Sequence, residues 1–148
     1  MIGIENEKGM RPVEAADYIQ LSWLVTEIAW RIDHGRADTV YELFTEKGEM
    51  SLGQNALKGH DQIRECGRQR VLATYHTRHV CTNMRFFIGD YGTVMGTTLL
   101  TVYMSQGDKP VIALPRSIGE DWDRFVRTKE KGWRFASREY HEVFASQQ

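Results

Sequence analysis

The sequence predicts an α+β fold: three N-terminal helices packed in a strongly curved, mainly antiparallel sheet. Three observations predict it. Residues from Val13 to Ala73 carry helical periodicity and helix punctuation. After Thr77 the chain turns to long β-branched and aromatic segments separated by hairpin-type turns. No repeat, low-complexity tract or linker divides the 148 residues, so one domain is expected. A sheet that wraps its helices leaves a cone with an internal pocket between the two layers.

Each element has its own signal. The opening residues to Met10 are polar and expected to be loose. Pro12 suits the first turn of a helix. From Val13 to about His34, Leu21, Val25, Ile28 and Ile32 form one apolar stripe. Gly35 is a C-terminal stop. Asp38 can cap a short second helix running through Phe44, with Val40, Leu43 and Phe44 facing inward. Extended pieces at Gly48–Leu52 and Ala56–Leu57 flank the turn Gly53-Gln-Asn55. His60-Asp61 opens a third helix to about Ala73. Four long strands are then expected at Thr77–Ile88, Thr93–Ser105, Val111–Thr128 and Trp133–Phe144. The turns between them are Gly89-Asp-Tyr-Gly92, Gln106-Gly-Asp-Lys-Pro110 and Lys129-Glu-Lys-Gly132. Pro115 and Gly119 mark an edge, a bulge or a bend in the third.

Composition narrows the function classes. The net charge is -1 and the pI about 6.5, so neither nucleic acid nor a basic partner is indicated. Arg64, Arg68 and Arg70 cluster, but Glu65 and Cys66 interrupt them, which predicts a solvated helix face. No apolar run is long enough to span a bilayer. The N-terminus lacks a signal-peptide pattern. Cys66 and Cys81 match no metal or redox spacing and read as reduced thiols in a cytoplasmic protein.

Two residues stand out chemically. Asp33 lies near the end of the first helix, in Ile28-Ala-Trp-Arg-Ile-Asp33. His79 opens the first long strand, in Tyr75-His-Thr-Arg-His-Val-Cys-Thr-Asn83. A carboxylate held against an imidazole makes a general base that works near neutral pH. Beside Asp33 on the helix run Ala29, Trp30, Thr26 and Ser22, a mostly small stripe with room for a ligand. Strict alternation puts His79, Cys81, Asn83 and Arg85 on one strand face, with Val80, Met84, Phe86 and Ile88 on the other. That leaves His79 on the less apolar side.

His34 is expected to be exposed, His60 to start a helix, and His76 to lie on the strand face opposite His79. No helical His-x-x-x-His, no paired cysteines, no phosphate loop and no nucleophile elbow occur, so neither metal nor cofactor is expected. Arg116, Glu120, Asp121, Asp123 and Arg124 crowd the third long strand. Asp121, Asp123 and Phe125 share a face; either it lines the pocket, or the charges guard an exposed edge. Trp30, Tyr41 and Phe125 are candidate pocket walls, and Tyr41 could offer a hydroxyl to a ligand.

The run Trp30-Arg-Ile-Asp-His-Gly-Arg-Ala-Asp38, with Tyr41-Glu-Leu-Phe-Thr-Glu-Lys-Gly48, resembles the start of the SnoaL-like, nuclear transport factor two-like superfamily. Gly59-His-Asp-Gln-Ile63, Thr77-Arg-His-Val-Cys-Thr-Asn83, Asp123-Arg-Phe-Val-Arg-Thr and Gly132-Trp-Arg-Phe resemble its later signatures. The resemblance runs from about Ala15 to Phe144. It implies the cystatin-like cone and a homodimer or homotrimer. It also implies relatives that include polyketide cyclases, ketosteroid isomerases, scytalone dehydratase, bile-acid dehydratase and non-catalytic binders. Asp33 and His79 match the aspartate and histidine of the two dehydratases. Trp30 stands where the isomerase has a tyrosine, and Thr98 where scytalone dehydratase has a second histidine.

The expectation is therefore a cofactor-independent lyase or isomerase acting on a small apolar cyclic or carbonyl substrate. Asp33 and His79 would be catalytic. Trp30, Tyr41, Thr98, Arg116, Asp121, Asp123 and Phe125 would contact substrate. The alternatives are a binding module of the same fold and a small structural subunit of a ring-hydroxylating oxygenase.

Overall fold

The computed structural model describes residues 10–53 and 55–146, so of the opening segment expected to be loose, residues 1–9 lie outside the described residues. Strand β1 (Arg11–Pro12) precedes helix α1 (Ala15–Asp33). Pro12 thus sits in a two-residue edge strand opposite Phe87 rather than in the first helical turn. Proline, which has no N–H, is tolerated at a sheet edge.

Helix α1 buries Leu21, Leu24, Val25, Ile28 and Ala29. Gly35 ends it by adopting φ +74°, which lets the Arg36 N–H reach the Arg31 carbonyl at 2.8 Å. This six-to-one closure fixes Asp33 in the last helical turn. The expected second helix is a 3-10 helix over Ala37–Leu43. Strands β2 (Phe44–Ser51) and β3 (Ala56–Lys58) follow, then α2 (Gly59–Leu72). At Gly67 a Cβ would lie 2.1 Å from the Ala37 carbonyl oxygen, so glycine is what allows α2 to lie against the 3-10 helix.

Strands β4 (Tyr75–Ile88), β5 (Val94–Gln106), β6 (Pro115–Thr128) and β7 (Gly132–Ala145) complete one unclosed, curled, mixed sheet of order β1-β4-β5-β6-β7-β2-β3. Among the described residues, only the β2–β7 pairing is parallel. β6 begins at Pro115, four residues after the expected Val111. It lies between β5 and β7, so its aspartates do not guard an edge. The Pro115 and Gly119 signals mark irregularities: the register shifts between Val102 and Tyr103 opposite the strand start, and between Ile118 and Gly119.

The strict alternation expected for β4 fails. Asn83 adopts φ +52°, and the β4–β5 register shifts between Thr82 and Arg85. One extra residue in a strand turns every later side chain to the other face. Thr77, His79 and Cys81 before the bulge therefore share the concave face with Met84 and Phe86 after it. The helices cover that face, and the core joins Leu21, Val25, Ile28 and Ile63 to Phe44, Phe86, Phe125 and Phe135. Each of these side chains, fully buried, contributes about 1.5–3 kcal/mol.

Candidate active site

Asp33 and His79 meet. The His79 ring donates from Nδ1 to Asp33 Oδ1 at 2.5 Å, and the His79 backbone N–H donates to Oδ2 at 2.8 Å. An ionised carboxylate only accepts, so this contact places the ring proton on Nδ1 and leaves the Nε2 lone pair free to act as a base. The Thr77 hydroxyl donates to Oδ1 at 2.8 Å and accepts from an Arg70 terminal nitrogen at 2.9 Å. A single chain of bonds thus runs from Arg70 through Thr77 and Asp33 to His79.

The Asp33 side chain is only 6% exposed. Burial alone would raise its pKa, but the two bonds from His79, the imidazole charge and the Thr77 hydroxyl outweigh it and hold the carboxyl below its ordinary range. An acid at a helix C-terminus opposes the macrodipole. Here the Arg78 guanidinium donates to the Asp33 carbonyl at 3.3 Å, placing a cation at that helix end.

His79 lines a cavity of about 450 Å³ whose wall is largely apolar, including Ile32, Val40, Met50, Ile63, Val102 and Met104. Thr77, Tyr75 and Arg70 supply its polar side. A second cavity of about 590 Å³ shares Thr77 and Met104 but contains neither member of the pair. Cys81 lies on the same strand face as His79, and burial pushes its thiol up to about 11, so it is not a ready nucleophile.

Deeper on the concave face lies a buried polar cluster. Arg138 forks onto Asp123 with bonds of 2.7 and 2.8 Å, while its remaining nitrogen stands 3.4 Å from Asp121. Burial raises both carboxyl groups, Asp123 to about 6. The two raised carboxyl groups flank one guanidinium, so the pair shares the retained proton. Thr98 pairs with Asp121 across β5 and β6, and neither the Thr98 hydroxyl nor Asp121 Oδ2 has a hydrogen-bond partner.

The other expected contacts divide. Thr98, Asp121 and Asp123 are buried, but none of them is among the residues lining the dyad cavity. Trp30 is not buried: it is 56% exposed and stacks on His34 at 3.7 Å. The small stripe beside it also turns outward at Thr26, because the apolar stripe of α1 claims the core side. Tyr41 packs under Arg64, 4.1 Å from its ring centre, and edge-on to His60, so it is outside the dyad cavity. Phe125 is core, 4.8 Å from the Phe135 ring and 5.7 Å from that of Phe86. Arg116 is exposed and bonds Ser146 at 3.2 Å.

Arg70 is a correction in the other direction. Sequence alone groups it with a solvated face, yet it lines the cavity. A signal for this exists: Ile63, Gly67 and Arg70 follow i, i+4, i+7 and share one helix face. Thr77 and Arg138 have no comparable signal, because their roles depend on sheet register.

The fold is a curled α+β cone, and His79, held by Asp33, lines a largely apolar cavity in it. The chain belongs to the SnoaL-like domain family, whose model matches residues 13–139. Among curated proteins, none matches the sequence. Solved structures share the fold. Aln2 from a Streptomyces species is 20% identical with a TM-score of 0.76, covering 89% of this chain and 94% of its own. ActVI-ORFA from Streptomyces coelicolor is 15% identical with a TM-score of 0.76, covering 86% and 98%. A putative scytalone dehydratase from Novosphingobium aromaticivorans is 15% identical with a TM-score of 0.74, covering 87% and 85%. Among the described residues, no group of three or more His, Cys, Asp and Glu side chains is placed to hold a metal, and no helix is long and apolar enough to cross a membrane.

Proposed function

We propose that this protein is a cofactor-independent lyase or isomerase of dehydratase or cyclase type, acting on a small, largely apolar cyclic carbonyl compound. The observation that carries the reading is the two-point grip of Asp33 on His79 beside the apolar cavity. Nε2 of His79 takes a proton from the carbon next to the substrate carbonyl. Asp33 stabilises the imidazolium that forms, and the low-dielectric wall strengthens that interaction. In a dehydration, the imidazolium returns its proton to the departing hydroxyl, which leaves as water while the carbon–carbon double bond closes.

The match to the SnoaL-like family supports this reading, as does the resemblance to a putative scytalone dehydratase. The protein acts as a homodimer or homotrimer, consistent with the exposed apolar residues Val80, Val143 and Phe144.

Dehydration of 3-hydroxycyclohexanone, followed by the ultraviolet band of the conjugated enone, tests it. The wild type should accelerate the reaction, and both Asp33→Asn and His79→Gln should lose about 10²–10⁴-fold of that acceleration. Full retention by either variant would remove the assignment.

A further inference from the structure

We infer that Arg70 forms an oxyanion site in the dyad cavity, so that the ligand is an apolar molecule carrying an anionic oxygen. The inference deepens the proposed function and rests on its cavity.

Among the described residues lining that cavity, Arg70 is the one permanently charged side chain. Its position is built. Its terminal nitrogen donates to the Thr77 hydroxyl at 2.9 Å, and its guanidinium lies 4.4 Å from the centre of the Tyr75 ring. The stack and the single hydrogen bond orient the group without neutralising it. No carboxylate stands within ion-pair distance of Arg70 among the described residues; Asp33 is one hydroxyl away, beyond Thr77. A guanidinium has five N–H donors, and Thr77 takes one. A half-buried cation with donors left over, on a largely apolar wall, is satisfied by an oxygen anion and poorly by a neutral apolar ligand.

The placement matches the chemistry proposed for His79. When Nε2 removes the proton, the C–H electron pair becomes the enolate double bond, and the negative charge moves to the former carbonyl oxygen. Arg70 is anchored to the same Asp33 that orients His79, so one hydrogen-bonded unit holds both the base and the cation. Arg70 therefore stabilises the anion that His79 creates, and it equally binds a ligand that arrives as a carboxylate.

The test compares 2-naphthoate with 2-naphthamide, which have the same ring system and differ in charge, by calorimetric titration of the full chain. The wild type should bind the naphthoate at least tenfold more tightly. Arg70→Met should erase that preference with an unchanged circular dichroism spectrum, and Arg70→Lys should keep part of it. His79→Gln should keep it, which separates this site from the proton-transfer reading: an inactive His79→Gln with intact naphthoate preference leaves the oxyanion site standing. Equal affinities in the wild type, no naphthoate binding at millimolar concentration, or a preference that survives Arg70→Met would each overturn the inference. A preference lost in His79→Gln but kept in Arg70→Met would assign the anion to the imidazole instead.

Discussion

His79 and Phe86 share the concave face of β4, although an odd spacing along a regular strand would set them on opposite faces. The bulge at Asn83 reconciles them. It lets one strand present a polar half to the cavity and an aromatic half to the core.

The bulge depends on a left-handed residue at position 83, where φ is +52°. Asparagine tolerates that region and β-branched residues do not. Asn83→Val should cost about 1–3 kcal/mol, and Asn83→Gly should cost less. Denaturant unfolding of the two variants checks the order; equal losses would mean that backbone strain is not the cause.

Thr77 joins Arg70 to Asp33, and Thr77→Val removes the hydroxyl while nearly keeping the shape. With two charged groups each losing a partner, stability should fall by about 1–3 kcal/mol. Because the hydroxyl also helps hold the Asp33 carboxyl below its ordinary range, turnover should fall as well. An unchanged midpoint in urea would show that the relay carries no weight.

The Asp121–Asp123–Arg138 cluster sets a pH dependence. Its acids titrate higher in the folded protein than the ordinary 3.8, with Asp123 at about 6. The folded state therefore holds a proton that the unfolded chain has released. The stability this gives is fully present below the ordinary carboxylate range and is lost as pH rises through about 6. Asp33, lowered, has the opposite sign: its contribution is present above the ordinary range and is lost as pH falls through its depressed value. Melting temperature should thus decline between about pH 4.5 and 7 in the wild type. Asp121→Asn should flatten that decline and melt higher at neutral pH. An unaltered slope in the variant would contradict the shared proton.

Gly67 offers a sharper structural test. Its missing Cβ would sit 2.1 Å from a backbone oxygen at Ala37, and backbone cannot step aside cheaply. Gly67→Ala should destabilise by about 1–3 kcal/mol, despite alanine's better helix propensity, because the contact is overpacked. A neutral or stabilising result would mean that the 3-10 helix is free to shift.

The helices and four long strands are legible in the sequence because their periods and turn residues are local. Asp33 is legible for the same reason, since Gly35 fixes where α1 stops. What cannot be read is anything set by register. The faces of β4 depend on one left-handed asparagine, and the grip of Arg138 on Asp123 depends on strands that pair across the sheet. Trp30 misleads because an aromatic beside an acid on a helix looks the same whether the pair faces a cavity or solvent. Arg70 is easily overlooked because its neighbours Arg64 and Arg68 are polar, although its spacing from Ile63 and Gly67 places it inward.

Solvent-deuterium exchange at the α-carbon of 2-tetralone, followed by proton NMR, tests the aspartate–histidine base without knowledge of the natural substrate. The wild type should exchange the α-protons well above the buffer rate. His79→Gln should fall to that rate, and Asp33→Asn close to it. Exchange that matches buffer in the wild type, or that persists undiminished without the imidazole, would contradict the account.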